Sequence, residues 1–328
     1  MKKQGKVLVL LSGGLDSTLA LKIMLDQGVE VEAVNFTTPF CVCDKCAVAS
    51  VVKRFDITIH SISLGQEFLD LVAAPPHGYG SQMNPCIDCR IFMLKKAKEI
   101  AQQIGASSIV TGEVLNERPF SQRMDAMRLI ENEAQLGGMI LRPLSAKLLP
   151  ETEMEKSGLI DREHLFSIQG RRRVPQMNLA KTLGIGDYPC PAGGCLLTDP
   201  HFAKKLRDFF NHDTVLTFGD VHLLKLGRHF RVDGCKVVVG RNEAENYALL
   251  SVAQREKMPY MQVVAFMGPM TVLVGNSTTA IIEIAAKMTV RYSDAPKDVD
   301  VNVQYVAKDT SILTTHAAED LELEHLRI

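Results

Sequence analysis

The chain has 328 residues, too many for one ordinary domain, so two or three compact units are expected. Apolar residues make up 46% and charged residues 23%, the balance of a globular fold rather than a fibrous or disordered one. The net charge is −1, which excludes nucleic-acid binding by overall charge and leaves it to local basic patches.

The longest apolar runs are strand-length and fall far short of the roughly 20 residues of a membrane span. Met1–Gly5 leads straight into a strand, with no room for an apolar signal core. No membrane contact and a cytoplasmic location are therefore expected.

Lys6–Leu11 is a continuous apolar run, the pattern of a parallel strand buried on both faces. A Gly-rich turn follows, then a helix over about Asp16–Gln27 stopped by Gly28. Val31–Phe36 reads as a strand, Ala47–Phe55 as a helix and Ile57–Ser63 as a strand. Ala73–Asp88 is a long Pro/Gly/Asn-rich loop, and loops of that length are usually functional. Arg90–Ile104 has helical spacing and ends at Gly105; Ser108–Thr111 and Met139–Leu141 are further strands. Repeated β–α units predict an α/β fold, a doubly wound parallel sheet with helices on both faces. Residues 151–212 read as an extension that completes the active site. Residues 213–328 read as a smaller C-terminal α+β module, with strands at Val221–Leu226, Lys236–Val239, Gln262–Phe266 and Thr271–Val274. Its expected helices are Asn242–Gln254 and Ser277–Lys287.

Ser12-Gly13-Gly14-Leu15-Asp16-Ser17 lies between the first strand and the first helix. Glycines let the backbone turn tightly and offer N–H groups to an anion, and the helix start adds its positive dipole end. Ser12 and Ser17 supply hydroxyl donors. Asp16 would repel a bare phosphate, so it fits a place beside Mg2+. An ordinary turn with a helix cap is the rival reading. The full hexapeptide after the first strand, where phosphate sites occur in doubly wound sheets, argues against that. Phe36 ends the second strand, Gly112 the fourth, and Arg142 and Lys147 leave the fifth. All four therefore join the candidate nucleotide site, Arg142 and Lys147 as phosphate clamps.

The hexapeptide resembles the SGGxDS PP-loop of the ATP pyrophosphatases, which include GMP synthetase, NAD synthetase, 7-cyano-7-deazaguanine synthase and the tRNA thiolases. The resemblance implies the HUP, or adenine nucleotide alpha hydrolase-like, fold over residues 1–150. It also implies cleavage of ATP to AMP and pyrophosphate, with transient adenylylation of the substrate.

Seven of the eight cysteines fall in three groups: Cys41/Cys43/Cys46, Cys86/Cys89 and Cys190/Cys195. Cys235 stands apart as a small buried residue. Cysteines grouped this way in a reducing compartment point to metal or thiol chemistry. Cys86 and Cys89, spaced C-x-x-C, can chelate one centre. Their position before a helix favours thiolate over thiol. Three ligands leave a coordination position open, unlike a purely structural site.

A PP-loop followed by C-x-x-C and a distant cysteine is similar to the 2-thiouridine and 4-thiouridine synthases. The stretches NPCIDCR, TGEVLNERPFSQ, ILRPLSAKLL and DYPCPAGGCLLTD look like a thiouridylase-like subgroup of that family. The resemblance implies an ATP-dependent tRNA sulfurtransferase in which Cys86, Cys89 and Cys195 hold a [4Fe-4S] cluster, with Cys190 the alternative to Cys195. Asp16, Cys86, Cys89 and Cys195 would be catalytic. The implied partners are tRNA and a sulfur donor, either hydrosulfide or a cysteine desulfurase. Simpler thiouridylases use two cysteines and a persulfide, and that chemistry stays open. Cys41, Cys43 and Cys46 suit zinc, a second cluster or sulfur reception.

The basic run Arg171-Arg172-Arg173 is a candidate RNA contact. The segments Leu226–Arg231 and Val239–Asn246 resemble the small RNA-binding domain of NFACT proteins. That implies phosphate contacts by Arg228, His229, Arg231 and Arg241. The rival reading is a dimerisation module, which would make the protein a homodimer. Two other functions remain: a PP-loop enzyme acting on a small molecule by sulfur transfer or amide formation, and a non-catalytic RNA-binding or redox-sensing protein.

Overall fold

A computed structural model describes residues 5–42, 45–186, 188 and 194–328, leaving out the side chains of Lys45 and Cys46. The chain divides into two compact units, Met1–Asp199 and Pro200–Ile328.

The first unit runs β1 (Lys6–Leu10), α1 (Leu15–Asp26), β2 (Glu30–Thr37), α2 (Lys45–Phe55), β3 (Thr58–Ser63), α3 (Gln66–Ala73) and α4 (Cys86–Ile104). It continues with β4 (Ser108–Val110), α5 (Met124–Glu133), β5 (Ile140–Leu141), α6 (Glu153–Lys156) and α7 (Val174–Thr182). Its sheet has the order β3-β2-β1-β4-β5, and every pairing in it is parallel. β1 is central, which explains its unbroken apolar run. Val7 and Val9 enter one core cluster with α1, while Leu8 and Leu10 enter the cluster on the other face with α4. Burying each such side chain is worth about 1.5–3 kcal/mol. The chain reverses direction across the sheet between β1 and β4, so the crevice at their C-terminal ends is the expected ligand site. Ser12–Ser17 and Thr111–Glu113 leave those two strands.

The second unit runs α8 (Pro200–Phe210), α9 (Phe218–Lys225), β6 (Arg228–Val232), β7 (Cys235–Val239), α10 (Glu243–Glu256), β8 (Tyr260–Val263) and β9 (Thr271–Val274). α11 (Thr279–Arg291), β10 (Val301–Val306), β11 (Thr310–Thr315) and α12 (Asp320–Leu326) complete it. Its six-stranded sheet has the order β11-β10-β8-β9-β7-β6, and its pairings are antiparallel.

Two sequence expectations shift here. The second unit begins at Pro200 rather than at residue 213. The reason is Asp208 on α8, which ion-pairs with Arg231 and Lys236 on β6 and β7. Of the expected strand Val221–Leu226, residues 221–225 are helical. Thr217 and Asp220 close a capping box: the Thr217 hydroxyl accepts from Asp220 N–H, and the Asp220 carboxylate accepts from Thr217 N–H. That start signal outweighs the apolar run after it.

Candidate active site

The Gly-rich loop needs its glycines. Gly13 has φ +77°, and a Cβ there would meet the Val48 backbone at 3.0 Å. Gly14 caps α1 in an extended conformation. Ser17 Oγ donates to the Gly14 carbonyl at 2.9 Å, and Ser12 Oγ lies 3.2 Å from it. Asn35 on β2 braces the loop from below by donating to the Leu11 carbonyl at 2.7 Å. Gly112 is set by close approach. A Cβ there would lie 2.5 Å from the Asp16 carbonyl carbon and the Ser17 nitrogen, so the β4 exit rests directly on the start of α1.

Asp16 sits in the first turn of α1. Burial pushes its carboxyl up; the guanidinium groups of Arg173 and Arg118 pull the other way without cancelling it. Oδ2 accepts from Arg173 Nη2 at 2.6 Å, while Oδ1 is buried without a hydrogen-bond partner. An orphaned carboxylate oxygen at the mouth of a phosphate-type loop fits a divalent cation such as Mg2+. Arg173 also approaches Glu117 at 3.6 Å. Of the basic run, Arg173 thus lies on the loop itself, with Arg171 and Arg172 exposed beside it.

Other nucleotide-site candidates sit differently. Arg142 is 4% exposed; its Nε donates to Glu113 at 2.9 Å and its Nη1 to Glu131. This guanidinium is engaged by the buried Glu113 and the half-buried Glu131. Burial would raise the Glu113 carboxyl, but Arg142 and Arg90 overcome that and hold it below its usual range. Lys147 Nζ donates to the Glu163 carbonyl at 2.8 Å. Phe36 packs half-buried against the core on the α4 face.

The C-x-x-C pair forms the first turn of α4 instead of preceding it. Asp88, 3% exposed, anchors that turn to the long loop: His77 Nδ1 lies 2.7 Å from its Oδ1, and His77 N–H donates to Oδ2 at 3.1 Å. Phe40 accepts from Leu196 N–H at 2.9 Å, and Val42 N–H donates to Gly194 at 3.1 Å. Leu197 accepts from Met83 N–H at 3.0 Å. These bonds bring Cys195 to Cys86 and Cys89, a hundred residues earlier in the chain.

The three thiols are free. Burial pushes all three up, Cys89 to about 12, and Cys195 and Cys86 each add to the rise at Cys89. The helix start does not make thiolates here, because burial outweighs it. The mutual influence of the sulfurs is what a shared centre requires, and iron displaces thiol protons on binding. Among the described residues no three His, Cys, Asp or Glu side chains surround a single ion. A [4Fe-4S] cluster asks for a wider trio, since each thiolate holds a different iron. Three free cysteine thiols are the donor type that such a cluster takes. Cys43 and Cys190 lie outside the described residues, as does the Cys46 side chain, so neither the rival ligand Cys190 nor a zinc set at Cys41/Cys43/Cys46 is placed.

Two residues that the motif reading did not single out, Arg90 and Arg118, join the two halves. Arg90, next to Cys89, approaches Glu113 at 3.4 Å. Arg118 favours the ionised forms of Asp16 and Glu117 on one side and of all three cysteines on the other. Their only sequence signal is membership of the NPCIDCR and TGEVLNERPFSQ stretches.

In the second unit the expected RNA contacts are largely engaged within the fold. Arg231 donates to Asp208, and Arg241 pairs with Glu245. The Arg228 guanidinium lies 4.6 Å from the centre of the Tyr292 ring. His229 is buried, which removes it as a phosphate contact. No described helix is long and apolar enough to cross a membrane.

Residues 2–148 match the family model described as "Thiamine biosynthesis protein (ThiI)", and residues 227–327 match "NFACT protein RNA binding domain". A "Probable tRNA sulfurtransferase" of Thermoanaerobacter sp. (strain X514) is 33% identical over 165 residues, covering 48% of this chain and 39% of that protein. One from Thermococcus kodakarensis is 30% identical over 148 residues, covering 43% and 37%. The chain thus spans under half the length of these curated relatives. A solved 4-thiouridine synthetase–RNA complex with bound ATP is 22% identical, covering 55% of this chain and 52% of that one, with a TM-score of 0.35. Two separate segments of the chain are thus each similar to a different family.

Proposed function

We propose that this protein is an ATP-dependent tRNA sulfurtransferase that adenylylates a uridine carbonyl and replaces its oxygen with sulfur. The observation that carries the reading is the shared crevice. The Asp16 carboxylate and the Cys86/Cys89/Cys195 thiols feel one guanidinium, Arg118, and Gly112 and Glu113 bind the two halves into one wall. A nucleotide-only enzyme has no use for three half-buried free thiols beside its phosphate loop.

The loop N–H groups and the Ser12 and Ser17 hydroxyls receive the phosphates, with Asp16 beside Mg2+. The uridine oxygen attacks the α-phosphorus, and pyrophosphate leaves against Arg173 and the loop amides. Sulfur then adds to the activated carbon, and AMP departs with the former carbonyl oxygen. Cys86, Cys89 and Cys195 would hold the [4Fe-4S] cluster, which supplies an iron able to bind a small sulfur ligand. Arg118 is placed to favour the anionic groups at both centres. The NFACT-type module gives the tRNA a second hold on the chain.

The test uses the whole chain purified without oxygen, with tRNA and MgATP, scoring AMP release and thiolated nucleosides by mass. Asp16→Ala should abolish AMP release and leave the iron content intact; Cys86→Ala should lose iron and still release AMP. AMP release driven by a small metabolite and not by tRNA would overturn the tRNA reading in favour of a small-molecule enzyme.

A further inference from the structure

The proposed reaction leaves the Cys41 group unused, yet Cys41 stands at the thiol centre. Cys41 and Cys195 face each other as an antiparallel bridge pair. The flanking bonds run from Leu196 N–H to the Phe40 carbonyl and from Val42 N–H to the Gly194 carbonyl. They bracket the pair without joining it, which makes it the narrow, non-hydrogen-bonded kind. In such a pair the Cα atoms lie about 4.5 Å apart and both side chains leave from the same face. Cys41 thus projects on the side from which Cys195 projects. Cys41 is also disulfide-bonded, whereas the Cys195 thiol opposite it is free.

We propose that Cys41 is a redox-controlled fourth ligand of the iron–sulfur centre. This rests on the cluster reading above. Three thiolates leave one iron open, and a fourth thiolate delivered across the bridge closes it. While Cys41 is held in its disulfide, that iron is open to hydrosulfide. A dithiol reductant opens the disulfide by exchange. One of its thiolates attacks a sulfur of the disulfide, its second thiol resolves the mixed disulfide, and two electrons pass from the dithiol to the protein pair. Cys41 is then free to ligate, its proton going to solvent. Oxidation therefore opens the centre and reduction closes it.

The experiment compares the whole wild-type chain with Cys41→Ser. Both are reconstituted with iron and sulfide without oxygen, then treated with a dithiol. One readout is the electron paramagnetic resonance signal of a three-iron cluster after ferricyanide oxidation; the other is hydrosulfide binding followed by visible absorption. Reduced wild type should keep its fourth iron, whereas Cys41→Ser should lose it. Hydrosulfide should bind the variant roughly tenfold or more tightly, because a tethered thiolate competes at about millimolar effective concentration. Val42→Pro, which removes a bracketing N–H but keeps the thiol, should move toward the variant. Equal iron loss and equal hydrosulfide binding in all three proteins would overturn the proposal and spare the cluster. A wild type that takes up no iron would overturn both.

Discussion

The two units treat buried charge differently. In the first, carboxylates and guanidinium groups gather where β1, β4 and β5 end, and they are left partly unmet. Asp16 Oδ1 and Arg142 Nη2 are buried without hydrogen-bond partners. In the second, Asp208 is closed off by Arg231 and Lys236, with the Lys236 ammonium 5.7 Å from the centre of the Phe209 ring. Desolvated atoms without partners cost stability, so a fold keeps them where something else gains. The contrast separates cations that shape a site from cations that hold helix α8 onto a sheet.

Breaking the Glu113 hub should have the largest effect. Glu113→Ala leaves Arg142 buried with only Glu131, and removing one partner of a buried pair costs about 3–5 kcal/mol. Denaturant unfolding should show this loss, with weaker ATP binding alongside. A loss under about 1 kcal/mol would mean that Glu131 and water suffice, and the hub would not be structural. Arg231→Ala should come next, at about 1.5–3 kcal/mol for hydrogen bonds to a charged group. Arg241→Ala, half-exposed on its carboxylate, should change unfolding little. Equal losses for these two arginines would erase the distinction between sealing and surface cations. Gly112→Ala should cost about 1–3 kcal/mol, because backbone, not a movable side chain, blocks the new methyl. Gly137→Ala, with open space around it, is the control.

Local chemistry decided how much the sequence disclosed. β1 was legible because residues 7–10, buried on both faces, carry no polar residue to confuse the pattern. The phosphate-type loop was legible because Gly13 and Gly14 serve the backbone itself. C-x-x-C was legible as a thiol pair, but not its place inside the helix, since Cys has no boundary preference strong enough to mark a start. Arg142 was read as a clamp from its position at a strand end, which says nothing about the carboxylate it meets 29 residues earlier, Glu113. Arg173 looked like part of a surface run; its contact with Asp16 spans 157 residues and has no local signal. The strands Arg228–Val232, Val301–Val306 and Thr310–Thr315 went unseen because their polar and charged residues satisfy an antiparallel sheet with one wet face, a weak period-2 pattern.

A further prediction tests the sealed character of the second unit by acid. His229 Nε2 donates to the Leu226 carbonyl at 2.7 Å, and Nδ1 is buried with no partner. Burial holds its pKa well below 6.5, and the charges of Lys205, Lys236 and Arg241 push it further down; the Leu226 bond opposes this weakly. The folded unit therefore binds fewer protons than the unfolded chain at mildly acid pH. Stability from this group is complete above the unfolded value of about 6.5 and is lost as pH falls below it, at up to about 1.4 kcal/mol per pH unit. Thermal unfolding between pH 7.5 and 5 should show that slope for the second unit, and His229→Gln should flatten it. The Asp208 carboxyl, held low by Arg231 and Lys236 against its burial, contributes its own loss only at lower pH. An unchanged slope in the variant would assign the acid sensitivity elsewhere. It would also mean that Nδ1 finds a water, leaving the second unit less sealed around β6 than its ion pairs imply.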